Sequence, residues 1–264
     1  MDLGIRGKKA LITGGGIGIG RAIALDLAKE GASVFITSRN QKHLSETLKM
    51  LDLNKNNHQG TICEISDEKE PQRLTQKVQK EFGNIDIVVN NAGSSLNITD
   101  PYCSISDWRK LFRLNLEVPI EINNFCIPYM KANNWGRIVN ITAGAALENS
   151  GPVTYCSSKA AITAYTRSMG RILAIETKNV IMTAVLPGVI LTEEGHWANV
   201  LKEKPEHAEK YLKERCPAGR FGKPSEISPM VVLLCSEKAT FSQGSIILID
   251  AGQAKHYMYF NYLP

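Results

Sequence analysis

Seven short apolar runs punctuate the 264-residue chain: "KKALIT", "SVFITS", "GTICEI", "IDIVVNN", "GRIVNIT", "VIMTAVLP" and "SIILID". They are apolar nearly throughout instead of alternating with polar residues, which is the pattern of strands covered on both faces. Longer helix-like stretches separate most of them, such as "GRAIALDLAKEGA" and "SDWRKLFRLNLEVPIEINNFCIPYMKAN". Strand and helix in alternation predict an α/β chain with a parallel sheet. No repeat, low-complexity tract or linker divides it, so residues 1–264 read as one domain.

Two segments break the rhythm. "LTEEGHWANVLKEKPEHAEKYLKERCPAGRFGKP", about 191–224, is long, charged and inserted after a strand. An insertion at the carboxyl edge of a doubly wound sheet lies where ligands bind, so it is expected to form a substrate lid. The C-terminal tail, 253–264, carries "KHYMYFNYLP", aromatic where termini are usually polar. It is expected to be buried, on its own domain or against a neighbouring subunit.

Composition narrows the function classes. Hydrophobic residues at 43% and charged residues at 22% are ordinary for a soluble globular protein. No apolar run approaches the roughly 20 residues of a bilayer span, and the N-terminus has no secretory-signal pattern. The six cysteines are scattered without a CxxC pair, which points to thiols of a reducing compartment and to no metal site. The formal charge of +5 is spread among interleaved acids and bases, which disfavours a nucleic-acid partner. A cytoplasmic protein is expected, with neither membrane nor nucleic acid as partner.

"ALITGGGIGIGRAIAL" runs from a strand through glycines into a helix. Gly14, Gly18 and Gly20 allow a sharp turn and close approach to a pyrophosphate, which the first amides of the helix then hold. With "SVFITSRN" as a second strand, this is a Rossmann-type dinucleotide site. At the end of that strand an NAD site usually carries an acid for the ribose 2′-hydroxyl. Thr37, Ser38 and Arg39 stand there instead. Guanidinium and hydroxyl suit a 2′-phosphate, so NADP(H) is expected over NAD(H).

The glycine pattern from Thr13 to Gly20, "NNAG" at 90–93 and "YCSSK" with Tyr155 and Lys159 occur in order. Asn115 in "RLNLEVP", Pro187, Gly188 and Thr192 in "LPGVILT", and "IDAG" near the end add to them. Together they resemble the short-chain dehydrogenase/reductase family over residues 7 to 252, with the feel of its 3-oxoacyl-carrier-protein reductase branch. The resemblance implies a single doubly wound domain with a seven-stranded parallel sheet and helices on both faces, and a homo-oligomer, tetramer or dimer. It implies cofactor contacts from Gly14, Gly16, Ile17, Gly18, Ile19 and Gly20, from Ser38, Arg39, Glu64 and Ile65, and from Asn91, Ala92 and Gly93. Tyr155, Lys159, Pro187, Gly188, Val189 and Thr192 complete that set.

The implied chemistry is hydride transfer between the nicotinamide and a carbonyl or secondary alcohol. Such transfer needs a group that gives or takes a proton at the oxygen. Tyr155 is the candidate acid/base, with Lys159 one helical turn on to lower the phenol pKa. By resemblance Asn115 interrupts a helix and holds a water that links Lys159 to solvent. The family's substrate-binding serine is not evident. Counting back from Tyr155 reaches Thr142; aligning the strand "GRIVNIT" puts Ala143 at the serine, with Ser150 a backup donor. Thr142 is taken as the fourth catalytic residue with Asn115, Tyr155 and Lys159. If Ala143 holds the place instead, a non-catalytic NADP-binding regulator is the rival reading.

Ser94, Leu147, Val189 and Trp197 are expected to line the substrate pocket; His196 reads as a solvated loop histidine. A 3-oxoacyl thioester is one candidate small-molecule substrate. An acidic carrier would need a basic patch, for which Lys131, Arg137, Arg171 and Lys178 are available. A sugar or polyol of a glycan pathway is the alternative.

Overall fold

The computed structural model describes residues 1–52, 56–148 and 150–254. The tail "KHYMYFNYLP" lies outside the described residues. Seven parallel strands form one sheet in the order β3-β2-β1-β4-β5-β6-β7. The strands are β1 (Lys9–Ile12), β2 (Ser33–Ser38), β3 (Gln59–Ile62), β4 (Ile87–Asn90), β5 (Gly136–Ile141), β6 (Val180–Pro187) and β7 (Ile246–Ile249). Each falls on a predicted apolar run.

The apolar runs are explained by what covers the sheet. Along one face Ile12, Val139 and Ile141 pack against α1 (Gly18–Lys29), α2 (Gln41–Leu51) and α9 (Pro224–Leu234). On the other face Leu11, Val88 and Ile138 meet α3 (Glu70–Glu81), α5 (Val118–Ala132) and α6 (Val153–Glu176). Both faces of every central strand are therefore dry, and alternation disappears from the sequence.

The long stretch 106–133 reads as helix, with the family resemblance implying an interruption at Asn115. It is α4 (Ile105–Phe112) followed by α5, joined by a π-helical turn at Arg113–Glu117. The single extra residue of such a turn leaves the apolar spacing almost unchanged. The insertion after β6 holds α7 (His196–Glu203) and α8 (Pro205–Arg215). Its root is pinned where Leu191 N donates to Gly222 O (2.9 Å) and Gly222 N to Val189 O (2.9 Å).

At the amino end of the sheet the Arg137 side chain is fully buried. It donates to the carbonyls of Ser236 (2.8 Å), Gly136 (2.8 Å) and Asn179 (2.8 Å), and to Asn179 Oδ1 (2.9 Å). Burial lowers its pKa to about 10. Arg137 therefore cannot join a surface patch for an acidic carrier. Lys131 is bound to Glu176 (2.9 Å), and Arg171 lies sixteen residues beyond Tyr155 on α6, about 24 Å at 1.5 Å per residue. The carrier patch expected from the sequence is not assembled at the cleft. Arg137→Met strips the donors from four buried acceptors, so urea unfolding should show a loss of about 3 kcal/mol or more.

Candidate active site

The winding reverses between β1 and β4, and the carboxyl ends of the strands open there into a cleft of about 830 Å³. Thr13 knits its floor: the Thr13 hydroxyl accepts from Asn91 N (3.0 Å) and Ala92 N (3.0 Å). Asn91 Nδ2 donates back to Thr13 O (3.0 Å) and Gly14 O (3.1 Å). This lattice fixes "NNAG" against the glycine turn. A Cβ on Gly20 would come within 2.2 Å of Gly14 O, so only glycine lets α1 begin this close.

The opening of α1 is built for an anion. Its N-cap is Ile17, which makes no side-chain cap bond, and its first turn carries no acid. The first amides are left for a ligand. At the end of β2, Ser38 and Arg39 line the cleft, where no carboxylate would repel a phosphate from that strand.

At the other end, Tyr155 and Lys159 stand one turn apart on α6, both in the cleft wall. Lys159 is 3% exposed; its Nζ donates to Ile141 O (3.1 Å) and lies 5.8 Å from the centre of the Tyr155 ring. Burial pulls the Lys159 pKa down to about 8 and pushes the Tyr155 phenol up to about 12. A Cβ on Gly93 would sit 2.7 Å from Lys159 Nζ and 2.8 Å from Asn115 Oδ1, so the three groups share one small space. Asn115 is held by the π-turn: Nδ2 donates to Ser94 O (2.9 Å) and Leu111 O (3.1 Å), and Oδ1 accepts from Ser94 N (3.2 Å).

Thr142 and Ala143 both line the cleft, but Thr142 Oγ1 is buried without a hydrogen-bond partner. Ser150 does not line it. Of the remaining predicted residues, Gly14, Gly16, Ile17, Gly18, Ile19, Glu64, Ile65, Asn91, Ala92, Gly93, Ser94, Pro187, Gly188, Thr192 and Trp197 do. Gly20 and Asn115 stand behind the wall instead of in it.

Val189 and Leu147 depart from expectation. Val189 is buried, with its amide on Gln253 Oε1 (3.1 Å), and faces a separate small hollow with Ile227 and Asp250. Ile190, the next residue, lines both that hollow and the cleft. Leu147 is 40% exposed outside the lining. Sequence reasoning missed His43 and Glu194, both in the wall, where His196 of the insertion also stands. Trp197 packs beside them, its ring centre 4.5 Å from Tyr211 and 5.2 Å from Phe221.

A family model described as short chain dehydrogenase matches residues 8–200. The chain belongs to the short-chain dehydrogenase family and is an oxidoreductase of the short-chain dehydrogenase/reductase type. It is 34% identical to the 3-oxoacyl-(acyl-carrier-protein) reductase FabG of Aquifex aeolicus, over 96% of this chain and 99% of the relative. It is 33% identical to a tropinone reductase homolog of Arabidopsis thaliana, over 94% and 92%. Among solved structures, the L-sorbose reductase of Gluconobacter frateurii complexed with NADPH and L-sorbose matches with TM-score 0.87 and 29% identity, covering 97% of this chain and 99% of that one. Among the described residues no helix is long and apolar enough to cross a membrane, and no cluster of three metal-ligating side chains occurs.

Lys159 carries a stability cost with a definite sign. Its folded pKa lies below the 10.5 of the free side chain, so the native state holds that proton more weakly than the unfolded chain. The penalty is full below about pH 8 and vanishes as pH rises to 10.5. It amounts to about 3 kcal/mol, offset in part by the bond to Ile141 O. Lys159→Met should raise stability by about 1 to 3 kcal/mol at pH 7 in urea titrations, with the gain shrinking in alkali.

Proposed function

We propose that the chain is an NADP(H)-dependent oxidoreductase of carbonyls and secondary alcohols, with Tyr155 as its proton donor and acceptor. The observation that carries the reading is the pair of half-buried Tyr155 and buried Lys159 in the wall of a cleft whose far end is free of acids on β2. The uncapped start of α1, with Ser38 and Arg39 beyond it, fits a dinucleotide bearing a 2′-phosphate. The similar L-sorbose reductase was solved with NADPH.

The cofactor supplies or accepts a hydride when bound; the rest is the work of this chain. With a pKa pushed up to about 12, the Tyr155 phenol keeps its proton at neutral pH and can donate it to a carbonyl oxygen gaining charge. Lys159, as ammonium 5.8 Å from the ring centre, steadies the phenolate left behind. Asn115 fixes the Ser94 backbone under the site. Thr142 is the proposed second donor: its hydroxyl has no internal partner, so turning to a substrate oxygen breaks no bond.

Full-length similarity to FabG supports a 3-oxoacyl thioester as substrate. A polyhydroxy ketone is the second reading, supported by the Trp197 indole with His196 in the wall, an apolar surface beside a polar one. The half-exposed edge strand β7 and the fully exposed Phe241 support a homo-oligomer, which sedimentation would count.

NADPH oxidation with 3-oxoacyl thioesters and keto-sugars side by side tests the reading. Tyr155→Phe should abolish turnover and leave NADPH binding intact; surviving turnover would remove Tyr155 from its role. Thr142→Val, which keeps the shape and deletes the hydroxyl, should lower kcat by about 10²-fold, and Thr142→Ser should restore most of it. An unaffected valine variant would assign the oxygen contact elsewhere. In carbonyl reduction kcat/KM should fall as pH rises past about 8, where Lys159 loses its charge.

A further inference from the structure

The corner of the cleft beyond the glycine turn holds a pair of side chains that hydride chemistry does not use. His43 Nε2 stands 3.1 Å from Glu194 Oε1, and both line the cleft with Ser38 and Arg39. His43 lies in the first turn of α2, its backbone amide donating to Asn40 Oδ1 (3.2 Å). A Cβ on Gly16 would lie 2.6 Å from Ser38 Oγ and 3.3 Å from His43 Cβ, so these two side chains are neighbours at the same glycine. The imidazole is enclosed, with 12% of its side chain exposed, against 67% for Glu194.

Positive charge is scarce in this corner. Residues 14–20 are glycine and isoleucine only. Arg21 is turned inward, donating to Gly16 O, Thr47 Oγ1 and the Glu193 carboxylate (3.0 and 3.1 Å). Arg39 has 66% of its side chain exposed, with Glu64 at 3.9 Å, and surrenders rotamer freedom on binding anything. His43 alone is both aimed into the corner and already held in place.

We propose that His43 is a third donor to the 2′-phosphate of NADP(H), beside Ser38 and Arg39, and that Glu194 is the resident carboxylate with which that phosphate competes. The inference rests on the NADP(H) reading above. A phosphate brings more charge and more acceptor oxygens than a carboxylate to one N–H. Glu194, being exposed, gives up a weak contact when it swings away. Glu193 stays on Arg21, so the root of the lid keeps its place while the neighbouring side chain moves. NAD(H), which has no 2′-phosphate, leaves the pair intact. Discrimination is thus set by a donor that helps one cofactor and a carboxylate that repels it.

Calorimetric titration of NADPH and NADH into the wild type, His43→Ala, Glu194→Gln and the double variant tests this without turnover. His43→Ala should weaken NADPH about tenfold and NADH less than about twofold. Glu194→Gln should tighten NADPH about threefold or more, leave NADH alone, and lose its effect once His43 is absent. A ratio of NADPH to NADH affinity unchanged in both single variants overturns the proposal. If His43→Ala does not fold, Glu194→Gln decides by itself, because it alters only an exposed side chain. Wild-type protein that fails to bind NADPH would sink the cofactor reading itself. Binding that Arg39→Ala weakens, with positions 43 and 194 silent, would sink this inference alone.

Discussion

The burial of one ammonium group organises the active end of this molecule. Lys159 is 3% exposed with its Nζ on Ile141 O, and a charge so placed tolerates few arrangements around it. Strand β5 must stop where the Ile141 carbonyl meets α6. The loop after β4 must carry glycine at 93, since a side chain would strike Nζ. The helix between β4 and β5 must bulge so that Asn115 reaches the same space. Three separate segments are thereby fixed about one charge, at a cost the large two-sided core can bear.

The fold turns this local demand into a cleft. Parallel strands deliver all their carboxyl ends to one edge, and the reversal between β1 and β4 leaves no crossing helix over that edge. Thr13 and Asn91 tie the two diverging ends together and so set the spacing of the glycine turn and "NNAG". Tyr155 and Lys159 come from α6, behind β5. The two ends of the cleft are thus set by different crossovers on a common sheet.

Much of this was legible from the sequence, and the physical reason differs by case. The strands were legible because double-sided burial makes them continuously apolar. Tyr155 and Lys159 were legible because one helical turn guarantees a shared face. The π-turn leaves no mark in the apolar spacing, because one added residue hardly disturbs it; only the resemblance at Asn115 pointed to an interruption there. Val189 was misplaced because the motif fixes its position along the chain but not the way it faces after Gly188. His43 and Glu194, 151 residues apart, leave no local mark; only the return of the chain after β6 brings them together. His196 reads as a loop residue until α7 begins at it and turns it to the cleft.

The choice between Thr142 and Ala143 for the missing serine turns on the geometry of the strand. Val139 and Ile141 join the core beneath α1 and α9, whereas Asn140 points the other way and donates from Nδ2 to Thr166 Oγ1 on α6. Thr142 N continues the ladder by donating to Val185 O (2.8 Å), so alternation carries one step further and turns the Thr142 side chain toward the layer of Tyr155 and Lys159. Ala143 follows in extended backbone (φ −165°, ψ 156°) and lines the cleft as Thr142 does. Counting from the tyrosine and aligning the strand disagree by one residue, and in a strand one residue is a whole face. The two positions offer a reacting oxygen different contacts, a hydroxyl at 142 and a methyl at 143.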